Sequence, residues 1–380
     1  MHCFRKSGLR GLAVLLVLGA VSNSCFGCSV LSHEAVIDAA WDVKLKSVLL
    51  SRYPKATPGE LKEAHAFAYG GSIIQDLGYY PYGSKEFSNL THYVRTGDFV
   101  RALISEAQNL NEFAFALGAL SHYVADNDVH RFATNPGEAM LYPKLRRKFG
   151  DIVTYEDDPS AHLKTEFGFD VLEVAKGNFA PQAYHDFIGF QVAKPLVARA
   201  FQRTYGLAIT DIFMDFDRSV ESYRQAVSKI IPAATRIAWA QRKSDIQQSE
   251  PGVTRDRFIF VMSRSSYERN WGKQYDHPSF GDRTAAILLR LIPPVGPLRA
   301  LQFRMPTASV EKLFMQSFNR SVQQYEAKLQ DVRNNRLLLE NTNYDTGEAS
   351  IPGTYKLEDD TYAYWRNKLS EKGLQTVAAN

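Results

Sequence analysis

Beyond residue 28 this 380-residue chain has no cysteine; its three are Cys3, Cys25 and Cys28. A disulfide framework and a cysteine-built zinc cage are therefore excluded from its body. An excess of charge of one sign is also lacking, with 45 Lys and Arg against 41 Asp and Glu and a formal net charge of +4. Proteins that grip nucleic acid through its phosphates usually carry a basic stripe or a domain pI above about 9, so no nucleic-acid partner is expected. Long apolar runs are missing after the first 21 residues, and a bilayer span needs about 20 apolar residues. Internal repeats and low-complexity segments are missing too. What is present is 45% hydrophobic residues, 12% of the chain being aromatic. That is enough for a sizeable core and excludes a disordered or collagen-like chain.

The cysteine-bearing start has its own logic. Arg5, Lys6 and Arg10 precede an apolar run from Leu12 to Val21, and small and polar residues follow. This is the layout of a secretory signal peptide, and the run is too short to be a span. We expect a signal peptide over 1–27, cleaved after Gly27, and a secreted or periplasmic mature protein starting at Cys28. Cleavage after Ser22 or Ser24 and an uncleaved anchor are the alternatives. Loss of residues 1–27 removes three cations and no acid, lowering the formal charge from +4 to +1.

The rest reads as helix, so the expected fold class is all-α. Ile37, Trp41, Leu45 and Val48 fall on one face of a helix from His33 to about Arg52. Glu60–Ile74 and Asp98–Gln108 read likewise. Gly78–Gly83 is punctuated by Gly and Pro and reads as a loop. Asn111–Asp128 is apolar on most sides, as a buried central helix would be. Val310, Phe314, Phe318, Val322, Tyr325, Leu329 and Val332 step by three and four along a long C-terminal helix. No alternation strong enough for a sheet is seen. Seven of the nine histidines lie between His33 and His185, and the later half is richer in Arg, Ser and Gln. A soft boundary near 190 would separate a domain of 28–190 from a helical region of 191–380.

His122, Asp126 and His130 are four residues apart. Four residues turn a helix by about 400°, so the three side chains line up on one face. Imidazole and carboxylate are ligands for zinc and similar ions, and a buried polar row with nothing to bind would cost several kcal/mol. His162 and Glu166 repeat the spacing. His33, Asp76 and His92 are further candidates. Each alone has a bland reading: a hydrogen-bonded core histidine, a solvated ion pair, a turn carboxylate. Together the eight exceed the four ligands of one structural zinc and suit two or three metals bridged by carboxylates. Such clusters hydrolyse phosphate esters.

In order and spacing these residues resemble the zinc-dependent phospholipase C family, especially the N-terminal domain of GPI-specific phospholipase D. The resemblance covers about Cys28 to Phe190 and includes the phrase Glu166-Phe167-Gly168-Phe169-Asp170-Val171-Leu172. The short gap between Asp126 and His130 is the phospholipase-D-like form. The resemblance implies an all-helical domain with three Zn2+ ions at the base of a cleft. His33 and the mature N-terminus, here the amine or thiolate of Cys28, would hold one ion. Asp76, His92, His122 and Asp126 would surround another, with Asp126 bridging. His130, His162 and Glu166 would hold the third, and Asp76 would orient or deprotonate the attacking water. The implied substrate is a phospholipid or GPI-type lipid at a membrane surface.

Tyr79, Tyr80 and Tyr82 either line the cleft mouth or simply pack. The proline-broken apolar stretch Ile287–Phe303 either meets a membrane surface or is core. Two competing functions are a three-zinc single-strand nuclease and a non-catalytic metal-binding protein.

Overall fold

The start and stop signals of the sequence become a chain of helices in the computed structural model, which describes residues 30–176, 190–225 and 303–373, with 239, 243–244, 246–248 and 251–254 between them. α1 (Val30–Ala40) runs through a π-helical turn, Trp41–Leu45, into α2 (Lys46–Arg52). α3 (Pro58–Gly71), a 3-10 turn (Ile74–Tyr79), α4 (Lys85–Tyr93) and α5 (Thr96–Glu106) lead to α6 (Leu110–Val129). A second π-helical turn, His130–Thr134, joins α6 to α7 (Asn135–Leu141); α8 (Pro143–Phe149) and α9 (Pro159–Lys176) follow. Then come α10 (Lys194–Tyr205), a 3-10 turn (Ile209–Asp211), α11 (Phe216–Gln225) and α12 (Ala308–Arg333). A hairpin of β1 (Thr342–Asn343) and β2 (Glu348–Ala349) precedes α13 (Lys356–Glu371). The all-α expectation holds.

Local chemistry sets the helix starts. Thr57 caps α3 in a reciprocal box with Glu60, and Pro58 sits in the first turn, where its missing N–H costs nothing. Asn109 caps α6 by accepting from the Glu112 N–H, and Thr307 caps α12 in the same way.

The central helix is as buried as its composition requires. From Phe113 to Asp126 every residue of α6 is buried. α3 lies unusually close to it. A Cβ at Gly118 would sit 2.0 Å from the Ala68 carbonyl oxygen, and one at Gly71 would sit 1.9 Å from that of Phe115. Only glycine permits this approach. α12 covers α6 from another side, with Tyr325 donating to the Leu117 carbonyl at 2.9 Å.

Four local expectations need correction. The helix from His33 to Arg52 is interrupted by the π turn at Trp41–Leu45. The loop read at Gly78–Gly83 begins inside the 3-10 turn that carries Asp76. The missing sheet is a minimal ladder, Thr342 opposite Ala349 and Asn343 opposite Glu348. No alternation encodes that ladder. The Asn343 side chain makes the turn by accepting from the N–H groups of Asp345 and Thr346, and Gly347 supplies a φ of +66°. On α12 the buried stripe runs through Ser317 and Ser321, while Phe318 and Val322 are only half-buried. The serines are buried because both hydroxyls approach Asp128 of α6.

The main hydrophobic cluster draws on residues from Val30 to Tyr355 and so continues across residue 190. Among the described residues no helix is long and apolar enough to cross a membrane.

Candidate metal centre

The site is assembled around one face of α6. Close approach of α3 brings the Ser72 carbonyl to His122, whose Nδ1–H donates to it at 2.9 Å. His92, on α4, donates from Nδ1 to the Ser88 carbonyl one turn earlier at 2.7 Å. Asp76 hangs from the 3-10 turn and His33 from α1. The start of α1 is fixed by Asp170 of α9, which accepts from the N–H groups of Leu31 and Ser32 at 3.1 Å each and from the Ser32 hydroxyl at 2.7 Å. A carboxylate at a helix N-terminus also meets the positive end of the helix dipole. His130 opens the second π turn, a distortion often found at functional sites. His162 and Glu166 face inward from α9.

All eight side chains meet. Their potential ligand atoms form three groups, each with all members within 4.8 Å of one another: His33, His122 and Asp126; Asp76, His92 and His122; His130, His162 and Glu166. Asp126 is the hub. Its Oδ1 lies 3.3 Å from His33 Nε2 and 3.9 Å from His130 Nε2. Its Oδ2 lies 3.0 Å from His122 Nε2 and 3.5 Å from His92 Nε2. Asp76 Oδ1 stands 3.2 Å from His92 Nε2, and Glu166 Oε1 stands 2.9 Å from His130 Nε2 and 3.5 Å from His162 Nε2. The rings of His33 and His122 stack at 4.4 Å, and those of His130 and His162 meet edge-on at 4.7 Å. Cys28 lies outside the described residues.

This arrangement calls for positive charge. A carbonyl only accepts, so the Nδ1 atoms of His92 and His122 carry their protons. In the neutral rings Nε2 is then a lone pair, yet these two Nε2 atoms are 3.4 Å apart and face carboxylate oxygens. Only protons or cations relieve that repulsion. Burial opposes charge on His92, but bonds to Asp126 and Asp76 outweigh it and push its pKa up to about 10. Burial, then the neighbouring His122, pushes His33 down to about 4. Burial would raise Glu166, but the charge of His162 and the bond from His130 pull it down to about 2. Asp76 and Asp126 are held low by the imidazoles against their burial. The Nδ1 atoms of buried His33 and His130 have no hydrogen-bond partner. Nitrogen and oxygen donors in three neighbouring groups, two of them sharing His122, anionic and short of positive charge, fit divalent zinc.

All of the eight except His122 border a cleft that is also lined by Tyr79, Tyr93, Tyr155, Leu163 and Asp345. The three tyrosines singled out in the sequence part company here. Tyr79 lines the cleft, Tyr80 is buried against Tyr223 at 5.0 Å, and Tyr82 is exposed beneath the Arg218 guanidinium at 3.8 Å. Of Ile287–Phe303 only Phe303 is described, and it is buried.

Sequence reasoning missed the supporting groups. Tyr344 is fully buried, donates its N–H to the His92 carbonyl at 3.0 Å and sets its ring 5.2 Å from that of His92. Asp170, Glu138 and Asp345 were also overlooked. Asp170 stood in the quoted phrase, but only as text; its distance from Ser32 along the chain hid its role.

Residues 32–214 match the model of a family described as zinc dependent phospholipase C. All eight residues of the centre lie inside this segment, which falls just short of half the chain. The match points to a hydrolase and agrees with the donor chemistry. Neither the curated proteins nor the solved structures offer a match to the chain.

Proposed function

We propose that the protein is an exported zinc-dependent phosphodiesterase that hydrolyses phospholipid head-group phosphodiesters. One observation carries this reading: three groups of buried donors converge on Asp126 within a segment matched to zinc-dependent phospholipase C. His33 and Asp126, with the Cys28 amine, would hold one zinc ion. Asp76, His92, His122 and Asp126 would hold a second, and His130, His162 and Glu166 a third. When bound, the ions supply Lewis acidity toward water and toward the phosphodiester.

The chain's own groups do the rest. Asp76 stays anionic at neutral pH because the imidazoles of His122 and His92 offset its burial. It borders the cleft and is the candidate to take a proton from the attacking water. Tyr79, Tyr93 and Tyr155 narrow the cleft and offer ring faces to a head group. Export rests on the signal peptide read over 1–27, which would leave Cys28 as the mature N-terminus. The spacing of Asp126 and His130 favours a phospholipase-D-like enzyme with a GPI-type lipid among its substrates.

Metal analysis of the purified protein, joined to assays on phosphatidylcholine vesicles, GPI-anchored lipid and single-stranded DNA, tests the proposal. Three zinc ions per chain with lipid hydrolysis is the expected result. Diacylglycerol among the products would assign C-type cleavage, and phosphatidic acid D-type. A zinc-free active protein, or cleavage of DNA alone, would overturn it. N-terminal sequencing tests the start at Cys28.

A further inference from the structure

His162 differs from its neighbours in what faces its far nitrogen. The Nδ1 atoms of His92 and His122 meet backbone carbonyls. That of His162 meets two carboxylates, lying 2.9 Å from Glu138 Oε1 and 4.0 Å from Asp345 Oδ1. Both acids are buried, Glu138 at 0% exposure and Asp345 at 1%. Neither oxygen of Glu138, nor Oδ1 of Asp345, nor His162 Nδ1 makes a well-aligned hydrogen bond, so these buried atoms are left facing one another. The other oxygen of Asp345 is pinned, accepting from the Tyr155 N–H at 2.9 Å and the Tyr355 hydroxyl at 2.6 Å. Asp345 therefore cannot turn away, and its open oxygen stays toward His162. Buried carboxylate oxygens without donors destabilise a fold, so stability does not explain this pair.

We propose that Glu138 and Asp345 are positioning residues for His162, which they hold with its proton on Nδ1 and Nε2 open toward the group it forms with His130 and Glu166. As acceptors behind the ring they also make the imidazole a stronger donor to a cation, as carboxylates behind metal-bound histidines do. The inference rests on the zinc reading above and adds a part from beyond residues 32–214. Asp345 belongs to the hairpin, which is stitched to the rest of the site. Its carbonyl accepts from Asn135 Nδ2 at 2.8 Å, and Thr342 and Thr96 exchange two hydrogen bonds.

The test is a zinc-binding isotherm, read by chelator competition, for the full-length protein and its Glu138→Gln and Asp345→Asn variants. Melting of the metal-free forms is the control. Expected is a roughly 10–100-fold loss of affinity for one ion in each variant, with the remaining ions held as in wild type. The metal-free melting temperature should be unchanged or higher, since a buried carboxyl short of donors is replaced by a neutral amide of the same size. Isotherms that superimpose on a zinc-binding wild type would overturn this inference alone. A wild type that binds no zinc would overturn the functional reading with it. Should Asp345→Asn not fold, Tyr355→Phe frees the Asp345 carboxylate without removing it. A weaker loss of the same ion is then expected, and wild-type affinity would count against the proposal.

Discussion

The two ends of the chain contribute different things to one cleft. Between α1 and α9 lie all eight donors, on six separate elements. Between α12 and α13 lies not one of them, yet Tyr344 backs the rings of His92 and His122, and Asp345 faces His162. α12 clamps the far end of the ligand helix, where Arg320 Nε meets both oxygens of Asp128 at 2.7 and 2.8 Å. One region supplies donor atoms and the other fixes where they point. A centre whose donors sit on six elements needs an outer frame, because each element alone could drift by more than a metal–ligand bond tolerates.

The contrast can be broken from either side. Asp126→Asn attacks the donors. Two oxygens that face four imidazoles become one oxygen and one amide. We expect more than the roughly 100-fold activity loss that a supporting residue can cause, with zinc content reduced and the helical circular dichroism of wild type retained. Tyr344→Ala attacks the frame. Removal of a fully buried aromatic ring costs about 3–5 kcal/mol, to be read by denaturant melts of the metal-free protein, in which Asp126→Asn should show no comparable loss. If Tyr344→Ala melts like wild type, the frame does not carry the fold.

Gly118→Val tests the approach of α3 to α6 inside the donor region. Its side chain would meet the Ala68 carbonyl and push α3 away from α6, costing about 1–3 kcal/mol and lengthening the bond from His122 to Ser72. Wild-type stability and zinc affinity together would refute that expectation. The smallest effect concerns Asp98 on α5. Its backbone N–H donates to Asn341 Oδ1 at 3.0 Å, and its carboxylate accepts from Arg95 and Arg101. Burial opposes ionisation, but the Arg101, Arg95 and Asn341 contacts win and lower the pKa. The stabilisation is therefore present above the unfolded-state value of about 3.9 and fades as pH falls through the lowered pKa. Asp98→Asn should flatten the acid limb of the stability profile by about 1 kcal/mol or less. An unchanged acid limb would remove Asp98 from it.

The two regions were unequally legible in the sequence. The meeting of His122, Asp126 and His130 could be read because one helix imposes a period that places them on one line, and α9 does the same for His162 and Glu166. α12 showed the same kind of stripe. Its register was partly misread, since hydropathy favours Phe318 over Ser317 and the partner of Ser317 is a carboxylate on another helix. The frame had no such period. Asp170, Glu138 and Asp345 are lone acids whose partners lie on other elements, and Tyr344 sits in a hairpin made by the Asn343 side chain. The π turns at Trp41 and His130 leave no compositional mark either.

The position of the hairpin has a consequence for synthesis. Glu166 is made long before Asp345, and at about 5–20 residues per second the interval is on the order of ten seconds or more. During that interval a nascent chain carries every donor and none of the C-terminal frame. Completing the centre thus waits for residue 345, and a chain that stops before it has the chemistry of the site without its shape.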